Sequence, residues 1–478
     1  MFDDLREFLD TLQDMGELKV VDGVDWDLEL GAIAELMAER KGPALLFDGI
    51  RDYPRGYRVA ANLITASKRR LRIALGYSDD VSDAEVIRRW KDIYENYRPV
   101  SPVEVSDGPV MENVMEGDKV NMLKFPAPKW HEMDGGRYIG TGDMVLTKDP
   151  DGGWVNLGVY RVMVHDEHTL SFYVRPGSDG DIIRRKYWER GESCPVVMTF
   201  GQDPLTWISS ALSLPWGTSE LEFAGYLRGE PVRVIRGKYT GLPIPATAEI
   251  AIEGEAPPPS EERRLEGPFG EWTGYYASGA REEPVVRVKA VYHRNDPIIW
   301  GEPPSRANAA VLPIPIDIVS LVWSALERAG LAGIRGVSGH GWAGVGIIVI
   351  AVEQKYPGHA KRVGTMAASL LPGIAATKFV VVVDEDVDPT DLDQVLWAIS
   401  TRTDPAVDID VIAGMPTNAL EPTVSPEKRE KGDLTFGRAV ILAVRPYHWR
   451  DKFPPVATVS RELRERVLQK WMSLFQGA

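Results

Sequence analysis

The sequence predicts a mixed α/β and β chain (α+β) in which two α/β segments flank a β-rich middle. Three observations predict it. Apolar residues recur at helical spacing through the first hundred positions and alternate there with short buried runs. From about residue 116 to 300 strand-like runs crowd between Gly and Pro turns, and after residue 300 helix and strand signals alternate again. The expected domains are 1–115, 116–300 and 301–478, a division that suits a chain of 478 residues.

Taken in order, Phe2, Leu5, Phe8, Leu9 and Leu12 spell a first helix, with Asp3 and Asp4 favouring its start electrostatically. A second helix is expected over 28–40, closed by Gly42 and Pro43, and a short buried strand over 44–47. A third helix over 83–97 carries Val86, Ile87, Trp90 and Ile93, and Pro99, Pro102 and Pro109 mark the boundary after it. In the middle, strands are expected over 143–147, 154–164, 170–174, 196–200, 232–236, 248–252 and 285–293, with one helix over 181–190. So many short strands with Gly/Pro turns imply a barrel or a sandwich. Beyond residue 300 come a helix over 314–329, a strand over 346–352, a helix over 359–371 and a strand over 378–383 ahead of the acidic run 384–388. A terminal helix presents Leu463, Val467, Trp471 and Leu474, spaced to pack either on its own domain or on another subunit.

Apolar residues at 44% and charged residues at 26% describe a globular protein. The single Cys194 leaves no intramolecular disulfide and no multi-Cys zinc site, and fits a reducing compartment. A net charge of −15 disfavours a nucleic-acid partner, and the short basic runs 68–70 and 184–186 read as solvated helix faces. The first residues lack a signal peptide's basic start and apolar run, and the longest apolar stretch, 345–352, is too short to span a bilayer. The expectation is a cytoplasmic protein with no membrane contact.

Three short patterns carry chemistry. In Glu266-Gly-Pro-Phe-Gly-Glu271, Pro268 and Gly270 suit a β-turn that brings two carboxylates into one small region. Carboxylates so held and partly desolvated divide into acid and base roles; the bland alternative is an exposed polar hairpin. In Asn156-Leu-Gly-Val-Tyr-Arg161 the apolar phase shifts mid-strand, as a bulge near Gly158 would cause, and an arginine in so apolar a run needs a buried anion. That anion is a substrate carboxylate, a phosphate or a structural glutamate. In Ser219-Glu-Leu-Glu-Phe-Ala-Gly225, Glu220 is a metal ligand or simply the acid at a helix start. No Gly-rich phosphate loop of the Rossmann or Walker type is present; Gly339–Gly344 precedes a strand and reads as a turn.

In sequence order these patterns resemble the UbiD family of reversible decarboxylases, which includes ferulic acid decarboxylases. Phe125-Pro-Ala-Pro-Lys-Trp-His131, Asp134-Gly-Gly-Arg-Tyr-Ile139, Gly191-Glu192, Gly201-Gln-Asp-Pro204 and Lys378 with its acidic run extend the likeness over nearly the whole chain. The resemblance implies a central split β-barrel binding prenylated FMN, flanked by an N-terminal α/β domain and a C-terminal α/β oligomerisation domain. It implies non-oxidative, reversible decarboxylation of an aromatic, heteroaromatic or α,β-unsaturated acid through a covalent adduct with the cofactor. A flavin prenyltransferase would supply that cofactor, the small molecules exchanged would be the carboxylic acid and CO2, and the assembly would be a homo-dimer or hexamer.

By the same resemblance Arg161, Glu266 and Glu271 form the catalytic trio: Arg161 orients the substrate carboxylate and pairs with Glu266, and Glu271 donates the proton. An apolar pocket around Phe269 and Trp272 is expected to raise the Glu271 pKa. Asn156, Glu220 and Asp179 match the metal-ligand positions for Mn2+ (or Mg2+), with K+ nearby, and Val159, Tyr160, Arg161, Ser178 and Lys378 match the cofactor surroundings. Two departures stand out. Asp179 occupies the place of the family's ligand histidine, and Gly432-Asp-Leu-Thr435 shortens a motif usually written Gly-Xaa-Asp-Ala-Thr. The readings left open beside this one are a subunit of a multi-component carboxylase, a non-catalytic flavin-binding protein and a plain FMN reductase.

Overall fold

Asp4 accepts the Glu7 N–H at 3.0 Å and so caps the first helix, Leu5–Asp14, which buries Leu5, Phe8, Leu9 and Leu12. In the computed structural model, which describes residues 1–308, 313–371 and 376–475, the helices Glu29–Glu39 and Asp83–Asn96 follow as the apolar spacing predicts. The N-terminal part also holds a four-stranded sheet in the order Leu18–Asp22, Ala44–Asp48, Arg58–Ala61, Ile298–Gly301. Its last strand pairs in parallel with Arg58–Ala61, so the N-terminal sheet is completed by chain leaving the β-rich middle.

The middle is a ten-stranded sheet. Its main path runs Arg137–Gly140, Val162–Val164, Thr169–Phe172, Arg281–His293, Ile250–Ala256, Cys194–Phe200, Asp143–Lys148, Val155–Gly158. Arg263–Glu266 and Asn113–Glu116 pair onto the long Arg281–His293 strand. Only Thr141 and Gly142 separate Arg137–Gly140 from Asp143–Lys148, which lie towards opposite ends of that path. Three residue steps reach roughly 11 Å at most, so the sheet must curl until its ends approach. No ladder joins those ends among the described residues, so the sheet is curled but open.

Three expectations change here. Residues 154–164 are not one bulged strand: Val155–Gly158 and Val162–Val164 sit towards opposite ends of the sheet, and Val159, Tyr160 and Arg161 cross between them. Tyr160 folds back over Gly158, where a Cβ would lie 2.6–2.7 Å from the phenol, so only glycine permits the crossing. The 232–236 run is a strand, but Arg233–Arg236 belongs to a separate three-stranded sheet with Pro243–Pro245 and Val103–Glu104. The basic runs are only partly solvated. Arg70 is 1% exposed and donates to Glu17 and to the carbonyls of Asn62, Leu63 and Gly42, while Arg184 is buried against Asp181. A planar guanidinium with five donors can be satisfied internally where an ammonium cannot.

The C-terminal part packs Pro313–Arg328 and His359–Leu370 on a five-stranded sheet ordered Ile334–His340, Ile347–Val352, Phe379–Asp384, Thr435–Ala443, Ile409–Pro416. Its acidic run is structural, since Arg402 binds Asp384 and Asp386 at 2.8 Å and Arg445 also reaches Asp384. The terminal helices Arg461–Lys470 and Met472–Phe475 do not pack on their own domain: Leu463, Val467, Trp471 and Leu474 are all exposed.

Candidate active site

Arg161 leaves the crossing segment pointing at the hairpin that carries Glu266 and Glu271. Its Nε and Nη2 donate to Glu266 Oε1 and Oε2 at 2.7 and 2.8 Å, and Nη1 donates to Glu271 Oε1 at 2.5 Å. All three side chains are at most 10% exposed. The exposed-hairpin alternative is therefore excluded, and both glutamates converge on one guanidinium.

The turn between them is clamped from outside. Asp134 accepts the Gly270 N–H at 3.0 Å through Oδ1 and the His131 N–H at 3.0 Å through Oδ2. Gly135 donates to the Pro268 carbonyl at 2.8 Å, and a Cβ on it would meet the Gly267 carbonyl oxygen at 1.9 Å. Tyr138 donates its hydroxyl to Glu266 Oε1 at 3.0 Å and packs its ring 4.4 Å from Phe269. Asp134 and Tyr138 are parts of the site to which the sequence assigned no role. Their signal was the Asp134–Ile139 motif, although nothing local says which partner each meets.

Burial pushes the Glu271 carboxyl up to about 7; Arg161 pulls against that shift and Glu266 reinforces it. Burial also pulls the Arg161 guanidinium down, but the hydrogen bonds and charge of Glu266 outweigh it and the net shift is upward. Phe269 is buried beside this group as expected, whereas Trp272 packs with the C-terminal core. Cys194 is a buried strand residue whose thiol burial drives up to about 12, so it is an inert packing residue.

A second group gathers where the crossing begins. Glu220 opens the helix Glu220–Arg228 and accepts the Leu157 N–H at 2.7 Å. Burial raises its carboxyl to about 8, the Leu157 hydrogen bond opposes this, and the Asp179 charge adds to it. Asp179 opens the helix Asp179–Glu189 and is itself raised by burial, against the pull of Arg175. The buried Asn156 Nδ2 faces the Tyr160 hydroxyl without a well-formed hydrogen bond, and Tyr160 also reaches Ser178 and Gly180. Two poorly compensated carboxyls and an amide are hard oxygen donors that fit a divalent cation. Among the described residues no group of three or more His, Cys, Asp or Glu could hold a metal, so an ion here depends on the Asn156 amide. Lys378 pairs with Glu421 in the C-terminal part, its Nζ 2.8 Å from Oε1.

The chain matches three family models in succession: the N-terminal domain of 3-octaprenyl-4-hydroxybenzoate carboxy-lyase over residues 9–90, its Rift-related domain over 101–315 and its C-terminal domain over 319–443. It is 32% identical to a pyrrole-2-carboxylic acid decarboxylase of Pseudomonas aeruginosa, over 98% of this chain and 97% of that one. This chain belongs to the UbiD family. It is thus a carboxy-lyase, as the resemblance implied. Another relative is a phenolic acid decarboxylase of Escherichia coli O157:H7, 34% identical over 89% of this chain and 90% of that one. Among solved structures, the UbiD-class enzyme HmfF of Pelotomaculum thermopropionicum in complex with FMN superposes with a TM-score of 0.84 at 28% identity, over 98% and 100% of the two chains. The vanillic acid decarboxylase of Sedimentibacter hydroxybenzoicus in its closed form superposes at 0.83 and 27% identity, over 99% of each. The mixed α/β and β architecture expected from the sequence is therefore the UbiD fold. Among the described residues no helix is long and apolar enough to cross a membrane.

Proposed function

We propose that this UbiD-family chain decarboxylates an aromatic or heteroaromatic carboxylic acid, non-oxidatively and reversibly, with prenylated FMN as its cofactor. The pyrrole, phenolic and vanillic acids of its relatives support the substrate class, and flavin-bound neighbours support the cofactor. One observation carries the reading: a buried guanidinium holds two glutamates, one fully engaged and the other with its proton affinity raised to about 7.

In this reading Arg161 orients the substrate carboxylate, and Glu266, forked onto it, fixes its plane. When bound, the prenylated flavin supplies the electron sink that the side chains lack. Loss of CO2 leaves an electron pair on the ring carbon, and Glu271 delivers a proton to that carbon. The carboxylate and one proton thus become the decarboxylated ring and CO2. Asn156, Glu220 and Asp179 would hold Mn2+ (or Mg2+) on the cofactor's phosphate side, with K+ nearby. Val159, Tyr160 and Ser178 would border that phosphate side, and Lys378 would approach the cofactor from the C-terminal part. Domains at 1–115, 116–300 and 301–478, a homo-oligomer, a cytoplasmic setting and cofactor supply by a flavin prenyltransferase complete the proposal.

The test is to co-express the chain with a flavin prenyltransferase, screen aromatic and heteroaromatic acids, and monitor CO2 release beside Glu271→Gln. Release by the wild type alone supports the reading. A flavin-loaded wild type that releases no CO2 from any of the acids would count against the proposed substrate class.

A further inference from the structure

One aromatic ring beside the trio carries two cations. The Arg161 guanidinium lies 4.4 Å from the Tyr173 ring centroid and the Arg281 guanidinium 4.2 Å from it, while Phe269 flanks Arg161 at 5.1 Å. Two cations on one ring repel each other unless anions hold them from either side. For Arg161 those anions are Glu266 and Glu271. For Arg281 the anion is Glu283, whose Oε1 lies 2.5 Å from Arg281 Nε. Arg281 opens the long Arg281–His293 strand directly opposite Glu266 in the ladder, and Glu283, two residues on, shares its face of the strand.

We infer that Arg281 is a positioning residue for the reaction: through the Tyr173 ring that both guanidiniums share, it keeps Arg161 aimed at Glu271 and the substrate carboxylate, and its charge adds to that of Arg161 beside them. Several titratable groups surround the Glu271 carboxyl and its turn. Arg161 comes from the crossing, Glu266 from the Arg263–Glu266 strand with Tyr138 donating to it, Arg281 and Glu283 from the long strand, and Asp134 and His131 from the clamp on Gly270. Burial is the largest influence on Glu271, Arg161 and Glu266 act next, and Arg281 draws its proton affinity down. Arg161 is committed to two carboxylates, and Arg281, 38% exposed and paired with Glu283, is the second cation on the same ring. The meaning of the Glu271 proton rests on the decarboxylase reading; its titration does not.

The experiment titrates the Glu271 carboxyl by infrared difference spectroscopy against Glu271→Gln, in wild type, Arg281→Gln, Arg281→Lys and Glu283→Gln, together with pH profiles of kcat. In Arg281→Gln the midpoint moves up by about half a pH unit and the alkaline limb of kcat moves with it. In Glu283→Gln, where Arg281 loses its counter-charge, the midpoint moves down, which keeps the inference testable if Arg281→Gln does not fold. Arg281→Lys holds the midpoint but loses several-fold in kcat, because an ammonium does not stack on Tyr173 as a planar guanidinium does. Midpoints unchanged in both charge variants overturn the inference. If the midpoints move while the wild type decarboxylates no acid, the charge coupling of Arg281 to Glu271 stands, and the decarboxylase reading falls together with the positioning role that rests on it.

Discussion

Arg161 donates to Glu271 at 2.5 Å with the same guanidinium that forks onto Glu266, so the proposed proton donor and the proposed substrate-orienting cation form one hydrogen-bonded unit. Loss of Glu271's acidity should then abolish turnover without unfolding the site. Glu271→Gln keeps an acceptor oxygen for Arg161 but cannot protonate carbon. The expected fall in CO2 release is on the order of 10²–10⁴-fold, with the melting temperature little changed.

The pH dependence follows from the sign of the Glu271 shift. A carboxyl raised to about 7 is protonated below that pH and ionised above it. Decarboxylation that needs the protonated form should be level on the acid side and fall about tenfold per pH unit above about 7. A kcat profile rising through pH 8 would contradict the assignment.

Removing the cation should be the harshest change. In Arg161→Ala two buried carboxylates lose their common partner, and the loss of stability should be about 3 kcal/mol or more in denaturant titration. Arg161→Lys keeps the charge but cannot fork onto Glu266, so it should recover part of the stability and little of the activity.

At the second group, Glu220→Ala should deprive the purified protein of both divalent metal and flavin, read by elemental analysis and by absorbance. Asp179→Ala should lose less, because Glu220 has the deeper burial and the larger upward shift. Equal losses would make Asp179 as strong a ligand as Glu220.

Gly158→Ala tests the crossing itself. The added Cβ would lie 2.6–2.7 Å from the Tyr160 phenol, which must then swing away from Asn156 and Ser178. The expected cost is about 1–3 kcal/mol, with weaker flavin retention in the same variant.

Much of this was legible in the residues alone. Helices at Leu5–Asp14 and Asp83–Asn96 were readable because apolar spacing, joined in the first by the acidic start at Asp3 and Asp4, is a local signal. The glutamate pair was readable because Pro268 and Gly270 announce a turn between carboxylates. The Asp134 clamp was not, since its contact with Gly270 spans 136 residues, and no local pattern encodes so distant a partner. The buried roles of Arg70 and Arg184 were hidden for the same reason: a basic run looks solvated until the carbonyls and carboxylates that receive it are in place.

By itself the sequence determined the order of α/β, β-rich and α/β segments, the membership in the UbiD family and the trio Arg161, Glu266 and Glu271. Periodicity, turn chemistry and motif order are all written along the chain. Only the tertiary structure decided that Val155–Gly158 and Val162–Val164 lie towards opposite ends of one sheet, which swings Arg161 across to both glutamates. Only it decided that Glu271 sits dry enough to hold a proton near neutrality, because desolvation belongs to the surroundings of a side chain and not to its place in a motif.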